Sequence, residues 1–209
     1  MGRSFHSPAG LGLYLSVILR PQCPPDRLMH LTCAAGVAAC DAIRETTGYL
    51  PDIKWINDLV AGQQKLGGIL TEMSLDTKTG LVDYAIIGIG INCCHHREDF
   101  PAELQDIAVS LKAVTESTPD IALLAARLVY NLWQTDRVLH TEKARIMECY
   151  RQRCITLGQS VQVLQGNLIR CGKATGLDDD GGLLVLFEDG AEKTVNSGEV
   201  SIRGMYGYI

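Results

Sequence analysis

The chain has 209 residues, with 19 basic and 24 acidic side chains and a formal net charge of −5. This length suits one good-sized domain with a small addition, and it can bury a core without disulfides or metal. The negative charge argues against a protein that wraps nucleic acid or an acidic membrane, and no segment is long and apolar enough to span a bilayer.

The amino-terminal residues and the cysteines indicate the cellular compartment. Residues 1–8 resemble neither a secretory signal nor a transit peptide. The eight cysteines include no Cys-x-x-Cys pair, and several lie in apolar runs where a free thiol packs as a small hydrophobe. We therefore expect a cytoplasmic protein with reduced cysteines.

The first half of the chain predicts strands around one long helix. Residues 11–19 are apolar and β-branched, which favours a strand, and residues 25–48 carry apolar side chains at helical spacing. Strand-like segments follow at 52–56, 66–73 and 82–92. Turn residues between the first two of them predict a hairpin.

The second half predicts two helices and then a small β domain. After a loop over 99–116, Thr118 supplies an N-cap for one helix, and residues 141–153 form the next. From Gly158 onward short apolar segments alternate with turns at 166–167, 178–182 and 189–190, which is typical of a small antiparallel barrel. We place the domains at 1–155 and 156–209.

The first candidate site lies in the segment 54–72. Asn57 and Asp58 end one strand, Lys65 begins the next, and a double glycine at 67–68 leaves space beside the backbone. These residues favour a ligand with anionic groups. A polar hairpin tip with a solvated lysine is the alternative.

Two further stretches carry weaker signals. Gly88 and Gly90 alternate in an apolar strand, so one face of that strand lacks side chains and a ligand can lie flat on it. The third glycine of a dinucleotide fingerprint is missing. Arg3 has a guanidinium that suits a carboxylate or phosphate, although a terminal arginine is commonly just solvated.

The consecutive residues 93–96 (Cys-Cys-His-His) invite comparison with a zinc site. On an extended chain successive side chains point to alternate faces, so four in a row cannot surround one ion as a tetrahedron. We therefore predict no zinc-type protein site.

Taken together, these stretches resemble one family, the biotin protein ligases. The segment that follows its biotin-binding loop is similar to GRSFHSPAGLGLYLSVILRP, and its Lys-Trp-Pro-Asn-Asp segment with a following lysine is similar to KWINDLVAGQQKLGGILTE. The family's Gly-x-Gly-x-Asn strand matches IIGIGIN, and its carboxy-terminal domain resembles GKATGLDDDGGLLVLFEDGAEKTVNSGEVSIR. The four segments occur in the family's order and cover practically the whole chain.

The resemblance implies a fold and a reaction. The fold is of the α+β class, with a mixed sheet flanked by helices, as in class II aminoacyl-tRNA synthetases and biotinyl-protein ligases, and a small SH3-like barrel after it. The reaction uses ATP with Mg²⁺ to convert biotin to biotinyl-5′-adenylate. A lysine of a biotin carboxyl carrier protein, a subunit of acetyl-CoA carboxylase, then accepts the biotin.

The resemblance also assigns residues. Lys65 and, second, Arg3 are the catalytic candidates, because fixed cations must offset the repulsion between a carboxylate and a phosphate. The remaining candidates are expected to bind biotin, ATP or the adenylate; they are Phe5, in place of the family's usual tryptophan, and Asn57, Asp58, Gly68, Ile69, Gly88, Gly90 and Asn92. Asp58 is also the candidate that orients or deprotonates the carrier lysine.

Departures from the family pattern leave alternatives open. Ile56 stands in place of proline, and Met1 falls inside the Gly-Arg-Gly-Arg-x-Gly-Arg loop, so the resemblance implies a catalytic domain that lacks its amino-terminal part. The helix-turn-helix domain of some members is also missing, so we expect no nucleic-acid partner. An inactive remnant or interaction module, and a lipoate ligase, are the competing functions. The oligomeric state stays open, with a homodimer as one alternative.

Overall fold

A computed structural model describes residues 6–165, 168–196 and 199–202. The first sheet has five strands in the order β1-β5-β4-β3-β2, and each pair of neighbouring strands is antiparallel. Its strands, in chain order, are β1 (Gly12–Leu19), β2 (Asp52–Lys54), β3 (Asp58–Ala61), β4 (Gln64–Leu75) and β5 (Val82–Asn92).

Four α-helices occur in the described part of the chain: α1 (Leu31–Thr47), α2 (Leu111–Thr115), α3 (Ile121–Val138) and α4 (Lys143–Arg153). Helix α1 packs on β3 and β4, α3 contacts β1, and α4 contacts β2. The apolar residues of β5 at odd positions, Ile87, Ile89 and Ile91, are buried in the core on this side. The helices therefore cover one face of the sheet and leave the other face open.

The ends of the helices follow local rules. Gly48 adopts a left-handed conformation with φ of 77°, and its N–H donates to the Arg44 carbonyl, which ends α1. Asp120, rather than the expected Thr118, caps α3 by accepting from the Leu123 N–H. Helix α2 lies in a segment predicted as loop; its cap is the Ser110 hydroxyl.

The carboxy-terminal residues form a second antiparallel sheet in the order β10-β6-β7-β8-β9. Its strands are β6 (Ser160–Gln165), β7 (Leu168–Leu177), β8 (Leu183–Phe187), β9 (Glu192–Val195) and β10 (Glu199–Ile202). The predicted turns at 178–182 and 189–190 are present, and the one at 166–167 lies outside the described residues.

The α+β class and the carboxy-terminal β domain are confirmed, but the first sheet is antiparallel rather than mixed. Strands β2 to β5 follow one another through short connections, and such connections join antiparallel neighbours. The predicted strand at 52–56 ends at Lys54, and β3 follows, so the chain forms two successive hairpins where one was expected. Closure of the second sheet into an SH3-like barrel stays a prediction.

Within the described ranges no helix has the length and apolar character needed to cross a bilayer.

His95 occupies an unusual place in the loop that follows β5. It is 1% exposed, and its ring stacks on that of Phe100 with centroids 4.7 Å apart. Neither ring nitrogen has a hydrogen-bond partner among the described residues. Burial lowers the pKa of His95, and the nearby His6 lowers it further.

The glycine pair at 67–68 generates a prediction about stability. A Cβ on Gly67 would lie 2.5 Å from the Gly90 carbonyl oxygen, whereas a Cβ on Gly68 would meet nothing closer than 3.5 Å. Because the Gly67 clash is with backbone, we expect Gly67→Ala to lower the free energy of unfolding by about 1–3 kcal/mol. Gly68→Ala should change it by less than about 0.5 kcal/mol. Urea unfolding of both variants checks this, and equal midpoints would contradict it.

His95 generates a prediction about pH. Because its pKa is lower in the folded chain than the unfolded value of about 6.5, the unfolded chain binds the proton first on acidification. Its contribution to stability is therefore complete above that value and falls as the pH drops toward the lowered folded pKa.

His95→Phe should keep the ring stack and remove this loss, so stability should decline less between pH 7 and pH 5 than in the unsubstituted chain. Part of the decline should persist, since burial also lowers the pKa of His30. Urea midpoints at the two pH values measure the effect, and an unchanged slope would show that His95 does not contribute.

Candidate active site

One row of directly opposed residues crosses all five strands of the first sheet. Tyr14 pairs with Gly90, Gly90 with Gly68, Gly68 with Asp58, and Asp58 with Lys54. Directly opposed residues share a face of the sheet, and this row lies on the face away from the helices. It therefore has a charged end, a phenol end and two glycines between them.

The next row continues the space above the glycines. Ser16 pairs with Gly88, and Gly88 pairs with Leu70. A Cβ on Gly88 would come no closer than 3.7 Å to any neighbouring atom, so the strand leaves room above it. The members of the two rows on β1, β4 and β5 form the floor of an open cleft with a volume of about 480 Å³.

The structure brings most of the predicted site residues to this cleft. Six of them line it: Asn57, Lys65, Gly68, Ile69, Gly88 and Gly90. Tyr14, Ser16 and Ser7 also line it, although the sequence analysis assigned them no role. Their place follows from the β1–β5 register and the fold around it, which no local pattern reveals.

A carboxylate between two lysines forms the charged end of the cleft. The Lys65 Nζ lies 2.5 Å from Asp58 Oδ1, and the Lys54 Nζ lies 4.0 Å from Asp58 Oδ2. The side chain of Lys65 is 36% exposed and that of Lys54 is 8% exposed. The three groups sum to one positive charge, with Lys65 the cation that faces the cleft.

Backbone pairing holds Lys65 in this position. The Lys65 N–H donates to the Ile107 carbonyl, and the Lys65 carbonyl accepts from the Val109 N–H. These bonds attach the loop after β5 to the start of β4. The Lys65 backbone is therefore held on both sides, by β3 and by the 107–109 segment.

Asn57 and Asn92 differ in what their amides do. The Asn57 Nδ2 donates to the Ile69 carbonyl at 2.7 Å, while the Ile69 N–H donates to the Asn57 carbonyl, so the residue joins the β2–β3 turn to β4. Asn92 is 4% exposed, and its Nδ2 donates to the carbonyls of Val109 and Lys65. Asn92 thus supports the Lys65 strand, and the structure does not bring it to the cleft wall as expected.

The remaining candidates are Asp58, Arg3 and Phe5. Asp58 lies behind Lys65 rather than on the wall, since its contact with the cleft runs through the Lys65 ammonium. Arg3 and Phe5 lie outside the described residues. Within the ranges described, no group of three or more His, Cys, Asp or Glu side chains is placed to hold a metal ion.

Lys54 is the charged residue that sequence reasoning left without a role. It stands in the same Lys-Trp-x-Asn-Asp segment as Asp58, but its sequence position alone gives no sign that it is buried. The signal that could have found it is the spacing: residues 54 and 58 oppose each other across a tight hairpin only if the turn occupies 55–57.

Two family models match this chain. The model of the biotin/lipoate A/B protein ligase family matches residues 1–92, and the model of the biotin protein ligase C-terminal domain matches residues 156–203.

Two curated relatives show the extent of the likeness. The bifunctional ligase/repressor BirA of Bacillus subtilis is 36% identical over 197 residues, which cover 92% of this chain and 59% of that protein. The biotin–[acetyl-CoA-carboxylase] ligase of Mycobacterium tuberculosis is 30% identical over 206 residues, which cover 95% of this chain and 72% of that protein. The chain thus spans less than two thirds of the length of the ligase/repressor relative.

Solved structures of the Aquifex aeolicus biotin protein ligase resemble this fold. One has a TM-score of 0.77 at 28% identity and covers 92% of this chain and 82% of that one. Another, of the same protein in complex with biotin and ATP, has a TM-score of 0.74 at 28% identity, with 92% and 78% coverage. Since the Mycobacterium tuberculosis relative is matched over more than two thirds of its length at 30% identity, this chain belongs to the biotin protein ligase family.

Proposed function

We propose that this chain attaches biotin to a carrier protein at the expense of ATP. In the first step the biotin carboxylate attacks the α-phosphorus of MgATP, forming biotinyl-5′-adenylate and releasing pyrophosphate. In the second step a neutral lysine amine of the carrier attacks the acyl carbon, releasing AMP and forming an amide. The observation that carries this proposal is the glycine-floored cleft that ends at Lys65.

The floor suits a flat ring. Gly88 and Gly90 present no side chains, and the neighbouring strands contribute Ser16 on one side and Gly68 on the other. A planar bicyclic group can therefore lie against backbone, flanked by one hydroxyl. Ile69 lines the same cleft and contributes apolar surface.

The charged end suits the reacting anions. A carboxylate and a phosphate repel each other as they approach, so a cation fixed between them lowers the barrier. Lys65 supplies that cation at the cleft wall, and Arg3 is proposed as the second. Asp58 lies next to Lys65, where it can also orient the incoming amine of the carrier.

The proposed ligand contacts keep the assignments of the sequence analysis. Asn57, Asp58 and Asn92 are proposed for the nucleotide side, where Asn92 would act through the Lys65 strand. Phe5 is proposed near the adenine. Mg²⁺ is proposed to enter with the nucleotide as MgATP, since the magnesium ion prefers phosphate oxygens and water to an all-protein cage.

The relatives support a partner and leave other properties as predictions. The Mycobacterium tuberculosis relative is named for acetyl-CoA carboxylase, which supports the biotin carrier subunit of that enzyme as the acceptor. The Bacillus subtilis relative is also named a repressor, so the expected lack of a nucleic-acid partner stays a prediction, as do a homodimer and a cytoplasmic location. The second family match begins at residue 156, which supports our division between 155 and 156.

Biotin-dependent release of pyrophosphate tests the function. With biotin and MgATP, the chain should release pyrophosphate, and with added carrier it should transfer biotin to one lysine. Lipoate in place of biotin should support neither step, which separates biotin attachment from lipoate attachment. A folded chain that releases no pyrophosphate with either acid would favour the inactive remnant or interaction module.

Lys65 generates a prediction about rate. Lys65→Ala should slow adenylate formation by about 10²-fold or more, because it removes one preorganised cation from the site of developing charge. Lys78→Ala is the matched control, since Lys78 is exposed in the β4–β5 turn, away from the cleft. Pyrophosphate release at saturating biotin measures both, and a near-normal rate for Lys65→Ala would reject the proposed role.

A further inference from the structure

Lys54 is a buried cation that the proposed chemistry does not yet use. Its side chain is 8% exposed, against 36% for Lys65, and both ammonium groups lie within 4.0 Å of the same carboxylate. A lysine is rarely buried without a role for its charge, because removing an ammonium from water is unfavourable. Lys54 does not line the cleft, so direct contact with the substrate does not explain its position.

The backbone around Lys54 is fixed from the side opposite Asp58. The Ile53 carbonyl accepts from the Ile155 N–H, and the Trp55 N–H donates to the Thr156 hydroxyl at 2.9 Å. The Trp55 indole N–H donates to the Gly181 carbonyl at 2.7 Å. Lys54 thus stands on a segment that is bonded on both flanks, and it cannot move away with its strand.

Lys65 has more freedom than Lys54. Lys65 lines the cleft and its side chain is 36% exposed, so its ammonium can move toward a ligand in the cleft. An anion that enters the cleft competes with Asp58 for the Lys65 ammonium, and each movement of the ammonium toward that anion weakens its contact with Asp58. A carboxylate that loses its partner in a half-buried site is strongly destabilised.

We propose that Lys54 is a positioning residue that stays beside Asp58 as its counter-ion, so that Lys65 can transfer its hydrogen bond from Asp58 to the substrate anion. This inference rests on the proposed function, since it assigns Lys54 a part in the adenylation step. Asp58 keeps the Lys54 ammonium in both arrangements, whereas Lys65 contacts Asp58 in the free cleft and the substrate anion in the occupied one.

Kinetics of Lys54→Met test the transfer. This substitution removes the charge and keeps an unbranched stem, so kcat for pyrophosphate release should fall about tenfold or more, as expected for the loss of a positioned charge. The KM for biotin should stay within about threefold, because the glycine floor is unchanged. Lys54→Arg, which keeps the charge, should recover most of kcat.

Lys78→Met is the matched control, because it makes the same change at an exposed lysine of the β4–β5 turn, away from the cleft. Its kcat and KM should equal those of the unsubstituted chain. A loss in Lys54→Met that Lys54→Arg does not recover, or one that falls on KM alone, would overturn the proposal. Urea midpoints of all three variants identify any loss that comes from unfolding.

Chemical labelling tests the lysine pair without turnover. In Lys54→Met, Lys65 is left as the cation beside Asp58, so its acetylation by dilute acetic anhydride should slow several-fold, with Lys78 in the same sample as the exposed reference. Mass spectrometry of the labelled chain gives both rates. An unchanged or faster Lys65 rate would overturn the proposal even if the chain is an active ligase. If Lys65 acetylation is slowed but the chain shows no biotin-dependent turnover, the proposed function is refuted, whereas the pairing of both lysines with Asp58 is supported.

Discussion

The alternation of side chains along β5 is the constraint on which the site depends. Successive residues of a strand face opposite sides, and Ile87, Ile89 and Ile91 are buried beneath the helices. Gly88 and Gly90 therefore lie on the open face, and the floor of the cleft is a consequence of the core on the other side. A slip of one residue in the β4–β5 register would exchange core and cleft, so one register specifies both.

Adjacent glycines in β4 serve this register in different ways. Gly67 faces the Gly90 carbonyl so closely that a side chain there would push β4 and β5 apart, whereas a Cβ on Gly68 would meet the Lys65 ammonium at an ordinary contact distance of 3.5 Å. The first glycine permits the strand pairing, and the second keeps the cleft continuous with its charged end. Gly67 is thus required by the fold, and Gly68 is required by the site.

Local charge at the cleft outweighs the charge of the whole molecule. The chain carries a formal net charge of −5, yet Lys54, Asp58 and Lys65 together sum to +1. At physiological salt the field of distant charges is screened within about 8 Å, so an anion already in the cleft senses mainly this cluster. A negative protein can therefore hold a site for anionic groups, and the exclusion of polyanion wrapping does not extend to small anions.

The sequence predicted the parts of the site that a single strand or turn encodes. The prediction failed for residues whose position depends on strand register or on contacts with distant parts of the chain. Gly88 and Gly90 were predicted because the alternation of glycine with apolar residues is visible in the sequence. Lys65 was predicted because it follows the Asn-Asp pair and begins the next strand. Asn92 was expected at the cleft, but its amide is taken up by two backbone carbonyls, one of them in a segment seventeen residues away. One hairpin was predicted where the structure has two, because the segment around the end of β2 is bonded to Ile155 and Thr156, which lie about a hundred residues further along the chain.

The segment that carries Lys54 and Asp58 depends most on residues far along the chain. The buried Tyr150 hydroxyl donates to the Ile56 carbonyl at 3.0 Å, and burial raises the pKa of Tyr150 well above its usual value, so the hydroxyl stays a neutral donor. Together with the bonds from the 155–156 connection and from the turn at Gly181, it fixes Ile53, Trp55 and Ile56. Because these partners lie in α4, in the 155–156 connection and in the β7–β8 turn, a change that displaces that turn also loosens the segment that carries Lys54 and Asp58. The β7–β8 turn in this sense supports the site from behind, although no described residue of the second sheet lines the cleft.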